Sequence, residues 1–211
     1  ITLGEGRYRE LIKEFSDTRG PKNSFIDSLL YCRKFASALQ ALREFLFSPE
    51  DDPWIAHEYG RAYLGLHQYA DAVRAFEYQL SVEPIPIAYH MLARAYYRLG
   101  QRDDVTRVLE DGLAAHSDHR ILQLDYAAHL IRLGHVERDG EAEFLLCSLP
   151  QTGQVLQQLV KLLCAQDRAD EAVGLLNDRA WRIHPERYKM PIQVEISIAK
   201  GQFKNALAEL R

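Results

Sequence analysis

The chain has 211 residues, of which 47% are hydrophobic and 27% are charged, and its formal net charge is −4. The hydrophobic fraction is enough for a continuous core, and the charged fraction is that of an ordinary solvated surface. The negative balance argues against a general nucleic-acid binder, and the absence of an 18-residue apolar run argues against a membrane span.

The three cysteines indicate a reducing environment. Cys32, Cys147 and Cys164 are far apart and form no CxxC pair, so neither a zinc site nor a thioredoxin-like motif is predicted. We expect reduced thiols buried between helices. Because no signal peptide is visible, we expect a cytoplasmic protein, although a chain that begins with Ile1 leaves room for an upstream signal.

In chain order, the apolar spacing predicts helices throughout and no strand. Residues 1–18 resemble the second helix of an incomplete unit, and 19–52 form the next unit. Asp51 or Asp52 is expected to cap the following helix, with Pro53 in its first turn. The remaining units are predicted over 53–85, 86–119, 120–152, 153–186 and 187–211, the last of them partial.

These units recur with a period of about 34 residues, which predicts one array of stacked helix–turn–helix units rather than a single globular core. One series of core positions is Leu29, Tyr63, Tyr96, Leu130 and Leu163. A second series marks the turn inside each unit and consists of Arg33, His67, Gly100, Gly134, Asp167 and Gly201. Its glycines suit a left-handed helix terminus.

The unit over 120–152 is irregular. After Gly134 the expected small residue is missing, and Asp139-Gly140 indicates a helix break or an extended turn. The second helix is predicted to shift to 141–149 and to stop at Pro150. A local register shift and a bend that changes the groove are both open explanations.

The repeated residues carry a family resemblance. Unit 53–85 contains Tyr59-Gly60, Ala62-Tyr63, Tyr69, Ala72, Phe76, Leu80 and Pro84, and unit 86–119 contains Leu92-Ala93, Ala95-Tyr96, Gly100, Val105, Leu109 and Leu113. This pattern resembles the tetratricopeptide repeat (TPR) over almost the whole chain. The resemblance implies an all-α, right-handed superhelical solenoid whose first helices line a concave groove. It also implies a protein or peptide partner.

The groove positions that follow from this resemblance are rich in basic and aromatic residues. They are His57, Arg61, His90, Arg94, Tyr97 and Arg98, with Arg132 one unit later. The pairs His57/Arg61 and His90/Arg94 recur at equivalent places, which predicts a basic patch for an acidic or carboxylate-bearing partner. Protonation of the two histidines below about pH 6.5 is expected to strengthen binding. The alternative is a solvated face whose arginines pair with Glu58 and Asp125.

No catalytic, cofactor or metal constellation is predicted. His116 and His119 flank an aspartate without a third distant ligand, and neither a GxSxG elbow nor a phosphate-binding loop occurs. We therefore predict a non-catalytic scaffold. The alternatives are a helical-repeat segment of a larger enzyme or of a secretion or envelope protein, and an RNA-binding repeat, for which the basic pair recurs too few times.

Both ends of the chain fall inside predicted units. Leu207 and Leu210 close the sequence without a polar capping helix, and 1–18 is half a unit. We therefore expect a fragment of a longer protein that self-associates through apolar surfaces at 1–18 and 202–211.

Overall fold

The computed structural model describes residues 19–45, 52–177 and 186–202, together with residues 6 and 10. Within these ranges the chain is all-α and has no strand, as the sequence predicts. The predicted helix over 1–18, apart from residues 6 and 10, and the final helix with Leu207 and Leu210 lie outside the described residues. The self-association expected at the two ends therefore stays a prediction.

The described residues form eleven α-helices. They are α1 (Arg19–Tyr31), α2 (Phe35–Glu44), α3 (Pro53–Gly65), α4 (Tyr69–Val82), α5 (Pro86–Leu99), α6 (Arg102–Ala115), α7 (Arg120–Leu133), α8 (Asp139–Ser148), α9 (Gly153–Ala165), α10 (Ala169–Asn177) and α11 (Glu186–Ala199). By contact the chain divides into two compact units, Ile1–Val108 and Leu109–Arg211.

The first compact unit is built from tandem helix pairs. α1 packs on α2 and α3 packs on α4, and the first helices α1, α3 and α5 also contact one another in succession. Its core includes fully buried Ile26, Leu42, Ile55 and Phe76. Apolar side chains at helical spacing thus bury one face of each helix against both its own partner and the next pair.

Two glycines allow close helix contacts in this unit. A Cβ on Gly60 would lie 2.5 Å from the Phe76 ring, and a Cβ on Gly65 would overlap the Phe35 ring. The prediction that Gly60 is small because two helices cross closely is confirmed. Gly65 has the same role, which the sequence analysis did not identify.

The turn series is confirmed in full. Arg33, His67, Gly100, Gly134, Asp167 and Gly201 all have positive φ, between 58° and 77°. Three of the six are not glycine, so these turns hold a side chain in the left-handed region, which is unfavourable for most residues. In each regular pair the second helix begins two residues later, as in His67 followed by Tyr69.

Helix α3 begins as predicted. The Asp52 side chain accepts a hydrogen bond from the backbone N–H of Trp54 at 2.8 Å, and Pro53 occupies the first turn. Because the cap satisfies a backbone donor that has no intrahelical partner, it fixes where the helix starts.

The second compact unit contains the irregular pair α7 and α8. After Gly134 a 3-10 turn over Val136–Arg138 is inserted, and α8 begins at Asp139 and ends at Ser148. The predicted shift of the second helix and its stop before Pro150 are confirmed. Asp139 and Gly140 form the first turn of that helix, however, rather than a break.

Arg138 ties the inserted turn to its neighbours. Its guanidinium donates hydrogen bonds to Glu110 and Glu141, each at 3.1 Å, and to the Tyr126 hydroxyl. The Tyr126 hydroxyl in turn donates to Glu110 at 2.7 Å. Burial raises the pKa of Tyr126, and the hydrogen bond from Tyr126 lowers the pKa of Glu110, so the phenol stays protonated and the carboxylate charged.

The cysteines are placed differently from the prediction. All three are free thiols, but Cys32 and Cys147 are exposed and Cys164 is half-buried. The expectation that they lie buried between helices is wrong, because Cys32 falls in a turn and Cys147 lies on the exposed side of α8. Burial raises the pKa of the Cys164 thiol, which keeps it protonated.

Candidate functional site

A cavity of about 470 Å³ lies at the carboxyl ends of α1, α3 and α5 in the first compact unit. We call it the arginine cavity. It is lined by Leu30, Arg33, Phe35, Arg61, Leu64, Gly65, His67, Tyr69, Met91, Arg94 and Arg98. Four of these residues are arginines and none is acidic, so the lining is strongly cationic.

The repeat explains why these side chains meet. Equivalent positions on neighbouring first helices lie side by side, because α1 contacts α3 and α3 contacts α5. Arg61 on α3 and Arg94 on α5 are such a pair. Arg33 and His67 occupy equivalent left-handed turns one unit apart.

Arg61 is held by two carboxylates. Its Nη1 lies 2.8 Å from an oxygen of Glu58 on the same helix and 3.0 Å from an oxygen of Asp27 on α1. Glu58 is 2% exposed, and burial raises its pKa to about 7 despite the neighbouring Arg61. The alternative reading, in which groove arginines pair with Glu58, therefore holds for Arg61.

Arg33, Arg94 and Arg98 differ from Arg61. Among the residues that the structure describes, none of the three has an ion-pair or hydrogen-bond partner for its guanidinium. Cations near helix carboxyl ends are stabilising in themselves, because the helix dipole is negative there. Three uncompensated guanidiniums around one cavity nevertheless produce a local positive field that favours an anion.

His57 does not line the arginine cavity. Its Nδ1 lies 3.0 Å from the amide oxygen of Gln79, and its ring packs edge-on against Phe76 at 5.8 Å between centroids. Burial lowers the pKa of His57, and Arg61 lowers it further. The expectation that His57 gains charge below about pH 6.5 is wrong, because its ring packs against α4 instead of facing water.

The other predicted groove residues are spread out. His90 is half-buried on α5, and Tyr97 on the same helix is 47% exposed, but neither lines the cavity. Arg132 lies exposed in the last turn of α7, in the second compact unit. Of the predicted site residues, the structure brings together Arg61, Arg94 and Arg98.

Comparison with solved structures identifies the architecture. The structure of YrrB, a TPR protein with an unusual peptide-binding site, aligns with a TM-score of 0.60 at 16% identity, over 82% of this chain and 94% of that one. TTC0263, a thermophilic TPR protein of Thermus thermophilus, aligns with a TM-score of 0.56 at 20% identity, over 90% and 99%. The structure of MamA AMB-1 aligns with a TM-score of 0.55 at 18% identity, over 72% of this chain and 85% of that one.

The chain has the tetratricopeptide repeat fold. No family model matches its sequence, and no curated protein matches it either. The likeness is therefore one of three-dimensional structure at low sequence identity, and it confirms the fold implied by the residue pattern.

Sequence reasoning missed part of this candidate site. Arg33, His67 and Tyr69 were interpreted as turn and core positions, yet they line the cavity beside the predicted arginines. A signal was present, because Arg33 and His67 stand where the equivalent turns at Gly100, Gly134 and Gly201 use glycine. Arginine has no local compensation in this conformation, so Arg33 is an outlier that directs attention to its side chain.

The described part of the chain has neither a metal-binding cluster nor a membrane-spanning helix. No group of three or more His, Cys, Asp or Glu side chains there is arranged to hold a metal ion. No helix within the described ranges combines the length and the hydropathy needed to cross a bilayer.

Proposed function

We propose that this chain is a non-catalytic protein-interaction scaffold that binds an acidic or carboxylate-bearing segment of a partner protein at the arginine cavity. The main support is the meeting of four arginines at one cavity with no acidic lining residue. The TPR fold supports the scaffold role, and the neighbour YrrB is itself a peptide-binding example. No nucleic acid, cofactor or metal is part of the proposal, and the cytoplasm remains the predicted compartment.

Within the cavity the arginines have different roles. Arg94 and Arg98 are exposed and have no partner among the described residues, so they are the first to meet a carboxylate. Arg61 is already paired and contributes less. Leu64 and Met91 provide apolar walls beside the arginines. A charge-assisted hydrogen bond contributes about 1.5–3 kcal/mol once a bound peptide excludes water from it.

The test uses two fluorescein-labelled, end-blocked peptides that differ only in charge. The glutamate peptide contains three consecutive glutamates, and the glutamine peptide has glutamines in their place. Fluorescence anisotropy with the full chain should show binding of the glutamate peptide alone, weakening as salt rises. The double variant Arg94→Gln, Arg98→Gln should weaken it by about tenfold or more.

The matched control is Arg74→Gln. Arg74 is an exposed arginine on α4 that pairs with Asp71 and does not line the cavity. The Arg74→Gln variant should bind the glutamate peptide with the affinity of the wild type. Equal binding of both peptides, or an undiminished affinity in the double variant, contradicts the proposed function.

A further inference from the structure

The arginine cavity contains more uncompensated positive charge than one carboxylate can balance. Arg33, Arg94 and Arg98 have no partner among the described residues, and each guanidinium offers five N–H donors. One carboxylate has a single charge and a planar pair of oxygens, which one bidentate arginine satisfies. A single glutamate would therefore leave two of the three cations uncompensated.

We propose that the cavity binds a phosphorylated side chain within the acidic segment, an inference that rests on the function proposed above. A phosphomonoester has a charge between about −1.5 and −2 at neutral pH and three strong acceptor oxygens. The arginines approach from the turn after α1 and from successive turns on one face of α5, and Arg61 adds a third element, α3. Donors that arrive from several elements suit a tetrahedral group better than a planar one.

The turn conformation of Arg33 supports a use for its cationic side chain. Arg33 has φ 58° and His67 has φ 62°, where three equivalent turns have glycine. Aspartate, as at Asp167, and histidine tolerate this region better than most residues, but arginine has no such local compensation. Holding Arg33 there costs conformational energy, and a functional side chain accounts for that cost.

His67 adds a second polar side chain to the same wall. Its Nδ1 lies 2.6 Å from the Tyr69 hydroxyl, and the two rings meet edge to face at 5.7 Å between centroids. When the hydroxyl donates to Nδ1, the proton of the neutral imidazole resides on Nε2, which is then a hydrogen-bond donor. The volume of about 470 Å³ is sufficient for a phosphorylated side chain and its flanking backbone.

The test adds a phosphorylated peptide to the comparison. Three labelled peptides share glutamate-containing flanks and differ at one central residue, which is phosphoserine, glutamate or serine. We expect the full chain to bind the phosphoserine peptide about tenfold more tightly than the glutamate peptide, because more arginines are engaged. Arg33→Gly should remove most of this preference while keeping or raising the melting temperature, since glycine suits the left-handed turn.

The outcomes separate this inference from the proposed function. Equal affinity for the phosphoserine and glutamate peptides, with both reduced by Arg94→Gln, overturns the phosphate inference and leaves the acidic-segment function standing. Binding of neither peptide overturns both. A phosphoserine preference that survives in both Arg33→Gly and Arg94→Gln overturns the assignment to this cavity. Inorganic phosphate that competes as tightly as the phosphopeptide shows that the ligand is a free anion and overturns the peptide assignment.

Discussion

Arg61 forms an ion pair with Asp27, the residue 34 positions earlier that occupies the equivalent place in the preceding helix pair, at an N–O distance of 3.0 Å. Equivalent positions in neighbouring units lie side by side, so the repeat places Asp27 of one unit beside Arg61 of the next. The following unit has Arg94 at this position. Asp27 and Arg61 neutralise each other, whereas Arg94 has no ion-pair partner among the described residues. The proposed binding of an acidic segment at the arginine cavity rests on that difference.

Removing Asp27 should therefore strengthen anion binding. In Asp27→Asn, Arg61 keeps Glu58 but loses one competing carboxylate, and we expect roughly two- to fivefold tighter binding of the glutamate peptide, the size of one exposed ion pair. Anisotropy titrations measure this. Asp71→Asn, which removes the partner of Arg74 outside the cavity, is the control and should leave the affinity unchanged. Unchanged or weaker binding in Asp27→Asn shows that Arg61 takes no part.

Stability should depend on pH through Glu58. Its pKa is about 7 in the folded chain against an ordinary 4.5, because burial disfavours the charged form. Below about pH 4.5 the carboxyl is protonated in both states and its contribution to stability is complete. Between pH 4.5 and 7 the unfolded chain loses the proton first, so this contribution falls as pH rises, by at most about 3 kcal/mol.

Urea unfolding of the wild type and Glu58→Gln across pH 5 to 8 tests this dependence. The variant should lack the decline, so that its stability relative to the wild type rises with pH up to about pH 7. The lowered pKa of His57 acts in the opposite direction, but it is common to both proteins and cancels in the difference. A difference that stays constant with pH shows that Glu58 ionises normally.

The close helix contact at Gly60 should be intolerant of a single added methyl group. Gly60→Ala places a Cβ against the Phe76 ring, which is fully buried and cannot move away freely, so we expect a loss of about 1–3 kcal/mol. Gly174→Ala on α10 meets nothing within 4 Å and should be neutral or stabilising by about 0.5–1 kcal/mol. Thermal or urea unfolding followed by circular dichroism compares the two, and equal effects would refute the contact.

In the second compact unit, Arg138 should contribute to stability through its hydrogen bonds. Arg138→Ala leaves Glu110 and Glu141 without that guanidinium, and we expect a loss of about 1–2 kcal/mol because the site is partly exposed. Arg120→Ala, at the exposed start of α7, is a matched control with little expected effect. Indistinguishable unfolding midpoints for the two variants show that the inserted turn does not need Arg138.

The sequence predicted the fold well because its signals are local and repeated. The left-handed turns follow from a periodic series, and the start of α3 follows from Asp52 and Pro53. The site was predicted less completely, since a helical period identifies a face but not its partners. His57 contacts Gln79 and Phe76 because α3 packs against α4. The spacing of residues within α3 does not reveal that packing. Cysteine is buried in most proteins, and for that reason we expected Cys32 to be buried, whereas it is exposed in a turn.

The most direct test of the account is to map where the glutamate peptide binds, using amide chemical shifts of the isotopically labelled full chain during a titration. We expect the largest shifts around the arginine cavity, at Arg33, Gly65, His67, Arg94 and Arg98, and their loss in the Arg94→Gln, Arg98→Gln variant. Saturating shifts that cluster elsewhere in the chain, or no shifts at millimolar peptide, would contradict the assignment of binding to this cavity.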